Sequence, residues 1–358
     1  MTSAEPGFLE LIEGWDGVGV VVRHDQLTGS WIFVALHDDT LGPATGGCRM
    51  KVYARPEEGL LDALRLSEGM TYKWAAMDFP FGGGKTVLAI PRPLVGHERV
   101  GLFHRFGELL NSLGGRYGTG ADLGTTTEDM QTIAEVSEYV IGVHGRTEGP
   151  MDPSPFTALG VFEGIRASLR HRTGEGDVRG RRILVQGVGA VGAALSKRIV
   201  GAGGVLLLSD TDERRLSEVA TELDAEVVEP ENVYGTDCDV YAPCAIGATL
   251  NPETIATLRC QVVAGAANNQ LASPTDAALL QDRDILYAPD YVINGGGAMA
   301  FTLIYQGEDR VAQLERRVSA IGATLEIIFD EASRGDCSPV VAAQTHVQRV
   351  LERGASQA

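Results

Sequence analysis

The sequence predicts an α/β protein of two domains, an N-terminal α/β domain and a domain built on a doubly wound parallel sheet, separated by a cleft. The 358 residues suffice for two domains at about 150 residues each. From Arg182 onward strand and helix patterns alternate, as a parallel sheet with helical crossovers requires. Many of the 45 glycines gather at 46–47, 82–84, 187–192 and 295–297, at the ends of apolar segments. Glycine lets a backbone approach a ligand closely, so these clusters predict a glycine-lined cleft.

Taken in order, Val18–Val22 and Trp31–Leu36 read as strands about the turn signal Thr28-Gly29. Glu57–Lys73 sets Leu60, Leu61, Leu64, Leu66 and Met70 at near-helical spacing. Pro56 precedes it and Glu57-Glu58 lies in its first turn, which marks the start of an amphipathic helix. Thr86–Ile90 reads as a short buried strand, and Val100–Leu113 and Thr127–Val140 read as helices. Arg146–Pro155 carries Gly149-Pro150 and Pro153-Ser154-Pro155, and is expected to be the hinge between domains. A helix, Phe156–Arg170, follows. Strands at Arg182–Gln186 and Val205–Ser209 then alternate with helices at Val191–Val200 and Glu213–Glu222, before strands at Glu226–Val228, Val240–Ala242 and Gln261–Ala264. The tail, Asp309–Arg353, is expected to be helical with a break at Gly335–Pro339. The expected domains are 1–145 and 146–330, with 331–358 a C-terminal helical segment packing back towards the first.

Composition excludes several classes. Thirty Lys and Arg against 48 Asp and Glu give a formal charge of −18, unsuited to nucleic acid or an anionic membrane. The five cysteines are scattered and never spaced C-x-x-C, so neither a disulfide framework nor a structural zinc site is indicated. The seven histidines form no ligand-spaced cluster, and no metal is expected. Residues 1–15 lack the build of a signal peptide, and no apolar run approaches the roughly 18 residues of a membrane span. A soluble, cytoplasmic protein is expected.

The strand Arg182–Gln186 runs into Gly187-Val188-Gly189-Ala190-Val191-Gly192 and then an apolar helix, which is G-x-G-x-x-G in its informative context. Gly187 makes the tight turn, Gly189 admits a pyrophosphate, and Gly192 permits close packing of helix on strand, as in a Rossmann-type domain. The helix start, at Ala190 and Val191, offers N–H groups and a partial positive charge to phosphates. Asp210 ends the next strand, 18 residues after Gly192. A carboxylate there accepts from ribose hydroxyls and repels a 2′-phosphate, so NAD is expected over NADP.

The N-terminal half holds two lysines in apolar or glycine settings, Lys73 after Met70-Thr71-Tyr72 and Lys85 after Gly82-Gly83-Gly84. Phe79 excludes a phosphate-binding loop around Lys85, which would need glycine at that position. With these blocks stand Leu41-Gly42-Pro43-Ala44-Thr45-Gly46-Gly47, Thr119-Gly120-Ala121-Asp122 and Asp152-Pro153-Ser154-Pro155-Phe156-Thr157-Ala158. Ala242-Pro243-Cys244-Ala245, Ala266-Ala267-Asn268-Asn269-Gln270 and Tyr287-Ala288-Pro289-Asp290-Tyr291 follow. From about residue 20 to the C-terminal helices the sequence resembles the Glu/Leu/Phe/Val dehydrogenase family, and its length and Gly84-Lys85-Thr86 block look more like the leucine, valine and phenylalanine branch.

The resemblance implies NAD-dependent oxidative deamination of an L-amino acid to a 2-oxo acid and ammonium, reversible as reductive amination. It implies that Lys73 holds the substrate α-carboxylate by a charge-assisted bond. Lys85 would activate water against an iminium left by hydride transfer from Cα, giving a carbinolamine that collapses to products. A solvated lysine titrates near 10.4, about three units too high for that task. Desolvation and neighbouring cations oppose its charged form. Asp122 would carry protons to and from the amino group as one half of a coupled pair. Asn268 would bridge substrate and nicotinamide, and Thr157 would contact the cofactor amide. Cys244, Ala245, Ala266 and Asn294 complete the implied cofactor set, and Gly46 and Gly47 belong to the substrate set. The first domain would carry catalysis and oligomerisation, the second would hold NAD, and the protein would be a homo-oligomer.

Thr45, Met70, Ala121, Ala298 and Phe301 would line the side-chain pocket. Relatives place a small or aliphatic residue at Thr45 and Val or Leu at Phe301, alanine at Gly295 and threonine at Cys48. A ring at Phe301 takes up volume or offers an edge-to-face contact, and Thr45 adds a hydroxyl. With no lysine or arginine in this set, an apolar or aromatic amino acid is expected and glutamate is not. Two rival readings are an NAD-dependent 2-oxo or 2-hydroxy acid dehydrogenase without ammonia, and a non-catalytic NAD-binding sensor.

Overall fold

The computed structural model describes residues 6–143, 152–308 and 310–356. Two compact units emerge, one of residues up to 151 with 304–307 and 347–358, the other of 152–303 with 308–346. Residues 146–151 of the expected hinge, and Asp309 at the head of the expected tail, lie outside the described residues.

The first unit holds α1 (Phe8–Glu13), β1 (Gly19–Asp25), β2 (Ser30–Asp38), β3 (Ala44–Val52), α2 (Pro56–Ala76), β4 (Gly82–Ile90), α3 (Gly96–Ser112), β5 (Tyr117–Ala121) and α4 (Thr127–Ala134). Its sheet runs β1-β2-β4-β3-β5. Strands β1 and β4 flank β2 antiparallel, while β4, β3 and β5 are mutually parallel. Side chains alternate across a strand, and β2 shows the result. Ile32, Val34 and Leu36 join a core with Leu102, Phe103 and Phe106 of α3. Phe33 and Ala35 join another with Leu60, Ala63 and Leu64 of α2. The sheet is thus covered by α2 on one face and α3 on the other.

Three readings of this unit change. The strand expected at Thr86–Ile90 begins at Gly82, so the three glycines are strand rather than turn. A Cβ on Gly83 would lie 2.0 Å from Thr71 Oγ1 and 2.3 Å from Thr71 N, so glycine lets α2 press directly on β4. The helix expected to reach Val140 stops at Ala134. Pairing at the open edge of β5 prevails there: Thr119 N donates to Tyr139 O at 3.0 Å and Ile141 N to Thr119 O at 2.6 Å. Ala44–Val52 and Tyr117–Ala121, which glycine and alanine disguise, are strands.

The second unit comprises α5 (Ser154–Thr173), β6 (Arg182–Gln186), α6 (Ala190–Gly201), β7 (Val205–Ser209), α7 (Glu213–Leu223), β8 (Glu226–Val227), β9 (Val240–Pro243), α8 (Pro252–Thr257), β10 (Val262–Val263), α9 (Asp276–Asp282), β11 (Leu286–Tyr287), α10 (Asp290–Ile293), most of α11 (Gly296–Tyr305) and α12 (Val311–Gly335). Its six strands are all parallel, in the order β8-β7-β6-β9-β10-β11. That is the Rossmann order, whose direction of winding reverses between β6 and β9 and leaves a crevice past their C-terminal ends. Strands β6 and β9 are buried on both faces, as a sheet flanked by helices demands. Finally α13 (Pro339–Ala355) rejoins the first unit from Val347 on. There Arg353 Nη2 lies 3.5 Å from Asp78 Oδ1, and Gly354 rests against Leu41 and Thr40. No helix among the described residues is long and apolar enough to cross a membrane.

Candidate active site

Parallel pairing of β3 with its two neighbours assembles a charged centre in the first unit. Thr45 pairs with Gly83 and Cys48 with Thr86, which sets Gly47 beside Lys85. On the other side Gly47 pairs with Gly120 and Cys48 with Ala121, the last residue of β5, so Asp122 emerges next to them. Lys85 Nζ lies 2.8 Å from Asp122 Oδ2. Only 5% of Lys85 is exposed, and a lysine so enclosed requires a partner. A Cβ on Gly47 would stand 2.8 Å from Asp122 Cβ and 3.4 Å from Lys85 Nζ, so glycine at that point admits the pair.

Arg49, two residues further along β3, donates from Nε to the same Asp122 Oδ2 at 3.0 Å. Its Nη1 donates to Asp62 Oδ2 of α2 at 3.0 Å, and Tyr53 Oη donates to that oxygen at 2.6 Å. Burial opposes the charge of Asp122, but the Lys85 and Arg49 cations outweigh it and hold the carboxyl at about 2. Asp62 follows the same logic: burial raises it, while the Tyr53 hydroxyl and the Arg49 guanidinium bring it below the usual carboxylate range. Burial and the adjacent Asp62 push the Tyr53 phenol up.

The remaining candidates of this unit sit on the same elements. Met70 reaches Gly46, where a Cβ would lie 3.3 Å from Met70 Cγ. Half-buried Lys73 follows three residues later on the last turn of α2. Thr45 is 2% exposed, and its Oγ1 has no hydrogen-bond partner among the described residues. Its carbonyl accepts from Trp74 Nε1 at 3.3 Å. Ala121 is exposed at the end of β5.

In the second unit the glycine loop follows β6. Gly187 has φ +97°, and its N donates to Ser209 O at 2.7 Å. A Cβ on it would meet Ala245 Cβ at 2.8 Å, and one on Gly192 would meet Gly187 O at 1.9 Å. Nothing lies within 4 Å of where a Gly189 Cβ would stand, and Gly189 gives α6 no side-chain cap. The N–H groups around Ala190 and Val191 therefore open on a backbone cradle with room for a phosphate. Asp210 braces the loop, accepting from Val188 N at 2.6 Å and from Asp212 N at 2.9 Å. Cys244 N donates to Gln186 O at 2.7 Å, which places Cys244 and Ala245 past β9 at the reversal of strand order. Asn294 Nδ2 donates to Asn268 Oδ1 at 2.7 Å and to Ala266 O at 3.2 Å. The buried Asn294 Oδ1 has no partner among the described residues, an acceptor available to a ligand amide. These features fit a dinucleotide. Thr157 uses its hydroxyl on Pro153 O at 3.3 Å and stands against Gly297. Ala298 and Phe301 lie one turn apart on α11, both half-buried.

The sequence reading overlooked Arg49, Asp62 and Tyr53. A signal existed, because residues two apart on a strand share a face and Arg49 follows Gly47 by two. It becomes readable only once Ala44–Val52 is taken as a strand.

Two family models match the chain. One, described as Glu/Leu/Phe/Val dehydrogenase, dimerisation domain, covers residues 21–139; the other, Glutamate/Leucine/Phenylalanine/Valine dehydrogenase, covers 204–319. The leucine dehydrogenase of Thermoactinomyces intermedius is 38% identical over 344 residues, 96% of this chain and 93% of that enzyme. The phenylalanine dehydrogenase of Caldalkalibacillus thermarum is 39% identical over 342 residues, 94% of this chain and 91% of that enzyme. The crystal structure of L-tryptophan dehydrogenase from Nostoc punctiforme superimposes with a TM-score of 0.85 at 35% identity, covering 97% of this chain and 99% of that one.

Proposed function

The chain belongs to the Glu/Leu/Phe/Val dehydrogenase family and is an amino-acid dehydrogenase, and from that premise we propose that it deaminates an apolar or aromatic L-amino acid with NAD. The observation that carries this reading is the buried contact of Lys85 with Asp122 on a glycine floor. Such a pair can exchange a proton. The residues named below would hold NAD, which would supply the hydride acceptor for the substrate Cα. Lys73 holds the α-carboxylate, and Lys85 takes a proton from the attacking water. Asp122, ionised at working pH, receives and returns the proton of the amino group. Gly187, Gly189 and Gly192 with Ala190 and Val191 cradle the pyrophosphate, and Asp210 sets a negative charge against a 2′-phosphate. Asn268, Asn294, Ala266, Thr157, Cys244 and Ala245 complete the cofactor site. Gly46, Gly47, Thr45, Met70 and Ala121 in the first unit belong to the proposed substrate set, as do Ala298 and Phe301 in the second.

With no lysine or arginine among Thr45, Met70, Ala121, Ala298 and Phe301, the proposed set suits leucine, phenylalanine or tryptophan, the substrates named for its relatives, better than glutamate. Self-association in the cytoplasm belongs to the same proposal, supported by the family's description of its first domain as a dimerisation domain. The test is NADH oxidation with ammonium across a panel of 2-oxo acids. Turnover should require ammonium and favour the apolar and aromatic acids, with NADPH a poor substitute. Best turnover with 2-oxoglutarate, or turnover indifferent to ammonium, rejects the reading. Lys85→Ala and Asp122→Asn should each abolish turnover while NAD still binds.

A further inference from the structure

The Lys85–Asp122 contact does not stand alone, since a second cation shares its oxygen. Asp122 Oδ2 lies 2.8 Å from Lys85 Nζ and 3.0 Å from Arg49 Nε. Behind Arg49, Asp62 accepts from its Nη1 and from Tyr53 Oη, and the exposed Arg65 reaches Asp62 Oδ1 at 3.5 Å. The row therefore alternates in sign: Lys85, Asp122, Arg49, Asp62. Side chains from β3, β4, α2 and the end of β5 supply it. The catalytic reading above assigns no task to Arg49, Asp62 or Tyr53. Arg49 and Lys85 thus donate to one and the same carboxylate oxygen.

Resting on that reading of Lys85 and Asp122, we infer that Arg49 is a positioning residue for the reaction. It pins Asp122 by the oxygen that Lys85 also uses, and Asp62 and Tyr53 hold it there. The consequence for proton transfer follows from charge. Lys85 acts as a base only when neutral. A lone carboxylate at 2.8 Å would stabilise its ammonium form, and Arg49 competes for that carboxylate and repels the ammonium. The other groups facing Asp122 leave this balance intact. Burial holds the Cys48 thiol and the Tyr117 phenol in their neutral forms, and Asp129 beside Cys48 is matched by Arg99 in a two-pronged ion pair. Lys73 on α2 adds a further cation to the same unit.

The test compares kcat/KM against pH in the deamination direction for wild type, Arg49→Met, Arg49→Lys and Asp62→Asn. Lys85→Ala and Asp122→Asn run alongside. Removing the Arg49 charge should move the rising limb to higher pH by about one unit. Asp62→Asn removes the anion that offsets Arg49 and should move the limb to lower pH by a smaller amount. Arg49→Lys keeps the charge, so the limb should stay in place while kcat falls through the lost Nε contact. NAD affinity should be unaffected in all three. Superimposable limbs for wild type and Arg49→Met overturn the inference, as do Arg49→Met and Asp62→Asn limbs that move the same way. Should Arg49→Met not fold, the Asp62→Asn limb decides, and an unmoved limb overturns the inference. Full turnover in Lys85→Ala or Asp122→Asn refutes the underlying catalytic reading instead, whatever Arg49 does.

Discussion

Asp122 carries an acid dependence whose sign can be stated. An unfolded chain protonates an aspartate near 3.9, whereas in the fold this carboxyl is held at about 2. A depressed carboxyl stabilises the fold fully above its unfolded value, and that contribution is lost as pH falls from about 4 through 2. The melting temperature of Asp122→Asn should therefore lie below wild type at pH 7, and the gap should narrow steadily on acidification below pH 4. A gap that stays constant down to the acid limit would mean that the pairing contributes nothing. Lys85 stood out in the sequence behind three glycines, whereas Asp122 entered only through the resemblance to the family. Arg49 and Asp62 did neither. An arginine between Cys48 and Met50, and an aspartate on an amphipathic helix, both read as ordinary solvated charges until strand pairing brings them together.

At the scale of elements, the second unit was the more legible half. Strands Arg182–Gln186 and Val205–Ser209 were foreseen at the residues where they occur, because a buried parallel strand is a short β-branched or leucine run between breakers. In the first unit glycine obscured the pattern: Gly46-Gly47 and Gly82-Gly83-Gly84 lie within strands, where backbone packing replaces side chains as the reason for order. Two alanine substitutions separate the tasks of these glycines. A Cβ at Gly83 meets the backbone of α2, so Gly83→Ala should cost about 1–3 kcal/mol of stability and raise the amino-acid KM by shifting Met70 and Lys73. A Cβ at Gly47 meets the Asp122 side chain, so Gly47→Ala should lower kcat with a smaller loss of stability. Melting curves and steady-state kinetics on both variants check this, and equal effects on stability and kcat would count against it.

At the scale of the whole molecule, the charge of −18 predicts self-repulsion that salt relieves. With a screening length of about 10 Å at 0.1 M salt, raising NaCl from dilute to moderate concentration should increase the melting temperature. A decrease would mean that the paired charges outweigh the net one. The return of residues 347–358 to the first unit has a consequence for synthesis. Between the end of that unit's main segment and its final piece the ribosome must make the whole second unit, within residues 152–346. At roughly 5–20 residues per second that wait is on the order of 10–40 s. Throughout it the surface around Asp78 and Leu41 that later receives Arg353 and Gly354 is without its cover. The half of the protein that emerges first is thus among the last to be finished.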